Sequence, residues 1–279
     1  MERIRNILIG VTFETSQDDV SLALGYGISL AREVGARLTV QAASVRVAVA
    51  HSLISRFAEK LAGAENQRLK ALSRLVAENA RGTAGLAGVS CKVETPQLNF
   101  TELVEAFLAQ ARVHDMTILD TERIALSTDR ALIEAALFDS GRPVLLVPPG
   151  TDCFRARRII IAWDGSAQAA RAVNEAMPLL RMAREVDIVS VIGEKDLSGT
   201  VPGAELAPHL SAHDVQANVV NLNALDGDVA ITLRHYVCEN AGDIVVMGAY
   251  AHSWVREVIL GGTTETLLKS FPVPIFMSC

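Results

Sequence analysis

From Asn6 to Ser278 the chain alternates short apolar runs with longer segments of helical period, and it does so in two rounds. Alternation of this kind leaves few folds open. Short runs rich in Val, Ile and Leu read as strands buried on both faces, and helices between them supply the crossovers of a parallel sheet. In the first round the strands are 5–12, 38–43, 91–95, 116–119 and 143–147. The helices are 20–34, 52–79, 101–113 and 129–139, with the glycine-rich patch 82–88 closing the long one and Thr101 capping the next. Pro148-Pro149-Gly150-Thr151-Asp152 breaks the pattern. It then resumes with strands 157–164, 187–192, 215–221, 244–247 and 275–278 and helices 166–184, 229–240 and 263–270. Pro178 is expected to kink or divide the first of these helices, and 194–213 reads as loose, with a short helix near its end. Two domains are expected, 1–150 and 151–279, each α/β with a five-stranded parallel sheet and helices on both faces.

Residues repeat as well as pattern. Ala31-Arg32-Glu33-Val34 recurs as Ala183-Arg184-Glu185-Val186, and the same offset lays Thr12 on Asp164. Asp115-Met-Thr-Ile lies over Asp243-Ile-Val-Val, Asp120 over Gly248, and Pro143-Val144 over Pro272-Val273.

Composition narrows the function classes. Residues 1–150 carry 16 basic and 17 acidic side chains and 151–279 carry 10 and 15, so neither half offers the positive surface that a nucleic acid needs. No uncharged run approaches the ~20 apolar residues of a membrane span. Met1-Glu-Arg-Ile-Arg-Asn6 lacks the pattern of a signal peptide, and a soluble, cytoplasmic protein is expected. Cys91, Cys153, Cys238 and Cys279 show neither metal-ligand nor disulfide spacing; Cys279 reads as the most exposed.

The chemistry gathers near the end of the chain. Ile244 to Met247 reads as a buried strand that runs through Gly248 into a loop with Gly261 and Gly262, then into a helix opened by Thr263 and Thr264. Free backbone N–H groups and the helix dipole favour an anion at such a place, and missing Cβ atoms let a phosphate approach. Ligands of open α/β sheets bind at the carboxyl ends of strands where strand order reverses. With the first and fourth strands adjacent there, Asp164 and Gly248 face one crevice.

On these residues the chain resembles a universal stress protein of the tandem, two-domain kind. The resemblance implies Rossmann-like domains of the adenine-nucleotide-hydrolase type. It also implies a motif of Gly, two residues, Gly, nine residues, then Gly followed by Ser or Thr. Here that register falls on Gly248, Ala251, Gly261 and Gly262, with His252 to Leu260 as the nine residues. Ala251 departs from the second glycine, and Gly262 stands at the hydroxyl position with Thr263 next. The resemblance further implies that Asp164 holds the adenosine part and that Val191 offers backbone to the adenine. His252 and Arg256 lie inside the loop, where they either neutralise phosphate or form a solvated group with Glu257. The first half has Thr12 and Asp120 at the matching places and no glycine from 120 to 139, so no nucleotide is expected there.

Each of these residues also has a plainer reading. Asp164 can cap the helix after it, and Trp163 can be core. His209 and His213 have zinc-ligand spacing but no companion cluster, which favours surface histidines. His235, with Tyr236 and Cys238, reads as core or boundary. His51 and His114 lack triad partners, no Gly-x-Ser-x-Gly surrounds Ser166 or Ser253, and no P-loop is present.

The expected function is a stress-response protein whose second domain binds an adenine nucleotide, ATP with magnesium, for regulation rather than turnover. No catalytic residue and no resident metal is assigned. A non-nucleotide adaptor or small-molecule carrier is the alternative, and a slow nucleotide hydrolase the third reading. The resemblance also implies that the two domains pair within one chain, with strands 143–147 and 275–278 as candidates for that pairing, and a homodimer is open.

Overall fold

In the computed structural model, the described residues are 4–13, 21–47, 56–121, 128–192, 202–225, 227–249 and 271–279. The chain divides into two compact units. One is Ile4–Asp120 with Ile124–Arg142, and the other is Pro143–Cys279 with Met1–Arg3 and Thr121–Arg123.

In the first unit the strands are β1 (Asn6–Phe13), β2 (Arg37–Val45), β3 (Cys91–Glu94), the two-residue β4 (Gln97–Leu98) and β5 (Met116–Asp120). They lie in the order β3-β2-β1-β5, all parallel, with β4 continuing beside β2. Ile7, Leu8 and Ile9 are fully buried. The helices are α1 (Leu22–Val34), α2 (Arg56–Leu86), α3 (Phe100–Ala111) and α4 (Thr128–Asp139).

Two expectations are corrected here. The helix α2 passes through Gly82 and Gly85 and stops at Leu86, because Ala80 and Ala84 on its inner face are fully buried. Packing outweighs the roughly 1 kcal/mol that a helical glycine costs; the chain turns instead at Gly88, whose φ is 73°. The cap of α3 is Asn99, not Thr101. Its side chain accepts the N–H of Glu102 at 3.0 Å, and the Glu102 carboxylate answers to the Asn99 N–H, a reciprocal box that Thr101 has no position to make.

In the second unit the strands are β6 (Val144–Val147), β7 (Arg158–Ala162), β8 (Glu185–Ile192), β9 (Asn218–Asn223), β10 (Ile244–Gly248) and β11 (Ile275–Ser278). Their order is β6-β11-β10-β7-β8-β9. All pairs are parallel except β6 with β11, which runs antiparallel with Leu145 opposite Phe276. Val144–Val147 closes the first round in sequence, yet its strand packs in the second unit. Helices α5 (Ala167–Leu180), α6 (Leu206–Ser211) and α7 (Val229–Glu239) complete the unit. Pro178 does not divide α5; it stands in the last turn, two residues before the end. The helix expected at 263–270 lies outside the described residues.

The internal repeat is real, but one of its sequence signs is not. Asp115 Oδ2 accepts the N–H groups of Arg5 and Asn6 at 2.7 and 2.9 Å, and Asp243 Oδ2 accepts those of Arg157 and Arg158 at 2.7 and 3.0 Å. The same carboxylate latch therefore stands at the start of β1 and of β7. By contrast, Ala31–Val34 ends the helix α1, whereas Glu185 and Val186 begin β8. The shared quartet is a coincidence of letters.

Candidate functional site

At the carboxyl edge of the second unit, β7 and β10 are neighbours, with Ala162 opposite Met247. Asp164 follows β7 by two residues, and Gly248 is the last residue of β10. The fold thus brings these two together at one edge. Asp164 is half-buried, and its Oδ1 accepts the N–H of Ser166 at 2.9 Å. Gly165 makes the turn at φ 72°, a region that favours glycine, and Ser166 then caps α5 by accepting the N–H of Ala169 at 3.1 Å. The helix cap is Ser166; Asp164 braces it from before.

Gly248 has a structural role of its own. A Cβ at this position would stand 2.5 Å from the backbone nitrogen of Ala169 and 2.6 Å from the carbonyl carbon of Gln168. The first turn of α5 lies directly on the strand, and only glycine lets it.

Val191 lies near the end of β8, opposite Leu222 of β9. The Val189 carbonyl accepts the Trp163 N–H at 2.8 Å on one side, while the Ile192 carbonyl accepts from Ala224 at 3.1 Å on the other. Since backbone groups alternate along a strand, those of Val191 turn toward the β7 side, past the last residue of that strand. Trp163 is half-buried, and its indole N–H donates to Glu205 at 2.7 Å, a polar contact that sequence reading missed. Ala251, His252, Arg256, Gly261, Gly262 and Thr263 lie outside the described residues, as do His51 and Ser253.

The corresponding edge of the first unit is built differently. Ile9 pairs with Ile118 as Ile161 pairs with Val246, so offsets of 152 and 128 residues carry Thr12 onto Asp164 and Asp120 onto Gly248. Asp120 does more than block an anion. Its Oδ1 accepts the N–H groups of Leu22 and Ala23, at 3.0 and 2.9 Å, at the start of α1. A side chain of the protein supplies the negative charge that a helix N-terminus favours.

Other candidates find ordinary partners. His209 and His213 meet edge to face with ring centres 4.8 Å apart; His209 contacts Asn174, and His213 contacts Arg181. Among the described residues no group of three His, Cys, Asp or Glu side chains could hold a metal. His114 is buried, donating from Nδ1 to the Gln110 carbonyl at 2.7 Å, with its Nε2 in a hydrogen bond of 2.9 Å with the Thr39 hydroxyl. His235 is exposed rather than core or boundary, because α7 buries Ala230, Leu233 and Val237 on its opposite face. Cys238 is the exposed thiol, and Cys279 is only partly so, being the residue after the buried β11. Burial pushes the Cys91 thiol up from its ordinary value, against an opposing pull from Arg81.

A polar cluster around a buried carboxylate escaped the sequence reading. Asp187 of β8, 2% exposed, is held by Asn218 at 3.0 Å, by the Tyr236 hydroxyl at 3.2 Å and by Arg158 at 3.5 Å. Arg158 also pairs with Glu185. Burial, and then the Asp187 charge, push the Tyr236 hydroxyl up to about 12. The only signal for it was an Asp inside a strand of apolar residues.

Residues 155–278 match the sequence model of the universal stress protein family. The chain carries a universal stress protein domain. Solved structures agree on the fold along nearly the whole length. A universal stress protein from Archaeoglobus fulgidus DSM 4304 is 17% identical with a TM-score of 0.66, over 97% of this chain and 95% of that one. A protein of Pseudomonas aeruginosa UCBPP-PA14, provisionally named a universal stress protein, is 16% identical with a TM-score of 0.55, over 99% and 93%. A protein of unknown function from Pseudomonas aeruginosa PAO1 is 15% identical with a TM-score of 0.53, over 99% and 92%. At these identities the likeness is one of fold. A comparison with curated proteins gives no match. No helix among the described residues is long and apolar enough to cross a membrane.

Proposed function

We propose that the universal stress protein domain at 155–278 binds an adenine nucleotide, ATP with magnesium, and that binding serves a cytoplasmic stress response as a regulatory signal, not as steady turnover. The observation that carries this is the meeting of Asp164 and Gly248 at the ends of neighbouring strands, with Val191 backbone turned toward the same side. A half-buried carboxylate suits the two hydroxyls of a ribose, and strand-end backbone suits the edge of an adenine. The first unit is the silent half in this proposal, because Asp120 already fills the anion position at its helix.

The test is calorimetric titration of magnesium ATP into the full chain, after checking a denatured sample for carried nucleotide. Asp164→Ala is the variant to compare. A substitution at Gly248 would confuse the result, since any Cβ there meets the backbone of α5. Micromolar binding weakened at least tenfold by Asp164→Ala supports the proposal. Absence of binding and of carried nucleotide refutes it and favours the adaptor or carrier.

A further inference from the structure

The short helix α6 begins with a carboxylate that does not serve it. Glu205 stands at its N-cap position, but its side chain takes no N–H of the helix. It accepts the indole N–H of Trp163 instead, at 2.7 Å. A second contact seats the same turn. Gly203, at φ 83°, lies so close to β8 that a Cβ would stand 2.7 Å from Ile188 Cγ2 and 3.6 Å from the Ser190 hydroxyl oxygen. Ile161 pairs with Ile188, so Trp163 and Ser190, each two residues further on, share one face of the sheet. The turn and the indole thus lie side by side, next to the candidate site. Further along, His209 meets Asn174 of α5 at 3.2 Å, and Arg181 Nε donates to the His213 carbonyl at 3.0 Å. The segment 203–213 therefore touches the chain on both sides of Asp164: Trp163 before it and α5 after it.

We infer that Glu205 is a positioning residue for the nucleotide site, acting through Trp163, and that it ties the state of α6 to that site. The inference rests on the nucleotide reading above. Trp163 directly follows β7 and still gives its N–H to the Val189 carbonyl at 2.8 Å. Asp164 is the next residue, and the chain turns away at Gly165. With the indole held at its far end, the ring cannot change rotamer without breaking that bond. The backbone that leads into Asp164 then keeps one course. The carboxylate meets a ribose without first being ordered, and a cost of binding is removed in advance. The tie also runs outward. Within α6 only Leu206 and Leu210 are buried, and a segment with so few buried apolar contacts has low local stability. Coupling is reciprocal: what α6 adds to nucleotide affinity, the nucleotide adds to the stability of α6.

The test is calorimetric titration of magnesium ATP into the full chain and its variants, with hydrogen exchange read at 206–211. Glu205→Ala is expected to weaken binding about fivefold, the lower end of couplings between sites, because Glu205 is exposed. Glu205→Gln keeps an acceptor oxygen and is expected to bind as the wild type does. Trp163→Phe removes the same bond from the other side, and Glu205→Ala is expected to add nothing to it. ATP is expected to slow exchange at 206–211 in the wild type and not in Glu205→Ala. Wild-type affinity in Glu205→Ala, with binding still lost in Asp164→Ala, overturns this inference and leaves the nucleotide reading standing. Equal weakening by Ala and Gln at 205, or an exchange response that survives Glu205→Ala, overturns it as well. A wild type that binds no ATP overturns both. Should Glu205→Ala fail to fold, Trp163→Phe decides in its place.

Discussion

Asp120 Oδ1 accepts the N–H of Ala23 at 2.9 Å, joining residues 97 apart in the chain at the first turn of α1. At the corresponding place in the second unit Gly248 has no side chain, and the backbone of Ala169 in α5 fills the room. One unit satisfies its helix start with a carboxylate; the other presses the helix onto the strand.

Asp120→Ala therefore leaves two N–H groups of α1 without their acceptor. It should cost about 1–2 kcal/mol, the range of a lost helix cap. Urea unfolding of the pair of proteins measures this, and a midpoint unchanged within error would show that water serves α1 as well as Asp120 does. Asp120→Asn keeps an acceptor oxygen and should cost less.

Glycine positions separate by what surrounds them. Gly248→Ala should destabilise by about 2–3 kcal/mol, because the obstacle is backbone and cannot rotate away. At Gly63, inside the helix α2, an added methyl would meet nothing within 4 Å. Gly63→Ala should therefore stabilise by about 0.5–1 kcal/mol. Thermal melting of both variants tests the contrast; equal shifts would refute it.

The latches Asp115 and Asp243 each hold two backbone N–H groups at the start of a strand, β1 and β7 respectively. Asp243→Ala should cost about 1–3 kcal/mol, the scale of hydrogen bonds to a charged group. Asp115→Ala should cost a similar amount. Hydrogen exchange locates the effect: protection should fall first at Arg157 and Arg158 for one variant and at Arg5 and Asn6 for the other. Uniform loss across the chain would count against local latches.

Tyr236 makes a prediction about pH. Its hydroxyl is pushed up to about 12 in the folded protein, by burial first and then by Asp187. An unfolded tyrosine ionises near 10. The group's contribution is therefore complete below about pH 10 and is lost as pH rises toward 12. Tyr236→Phe should remove this alkaline loss, while costing about 1 kcal/mol at neutral pH through the missing hydrogen bond to Asp187. Stability curves of the two proteins that stay parallel from pH 8 to 11 would refute the assignment.

The sequence by itself determined the alternation of strands and helices, the two rounds, and the pairs Asp115 with Asp243 and Asp120 with Gly248. These rest on period and spacing, which are short-range properties that residues carry in their order. Local competition between neighbours already blurred it: Asn99 rather than Thr101 capped α3, and α2 ran past its glycines. Only the tertiary structure decided that Val144–Val147 lies antiparallel to β11, that Gly248 is bare because α5 rests on it, and that Asp187 is held by Tyr236 and Arg158. Each of those joins residues tens of positions apart. What a side chain must satisfy or avoid there depends on which distant backbone the fold sets beside it, and no local pattern encodes that neighbour.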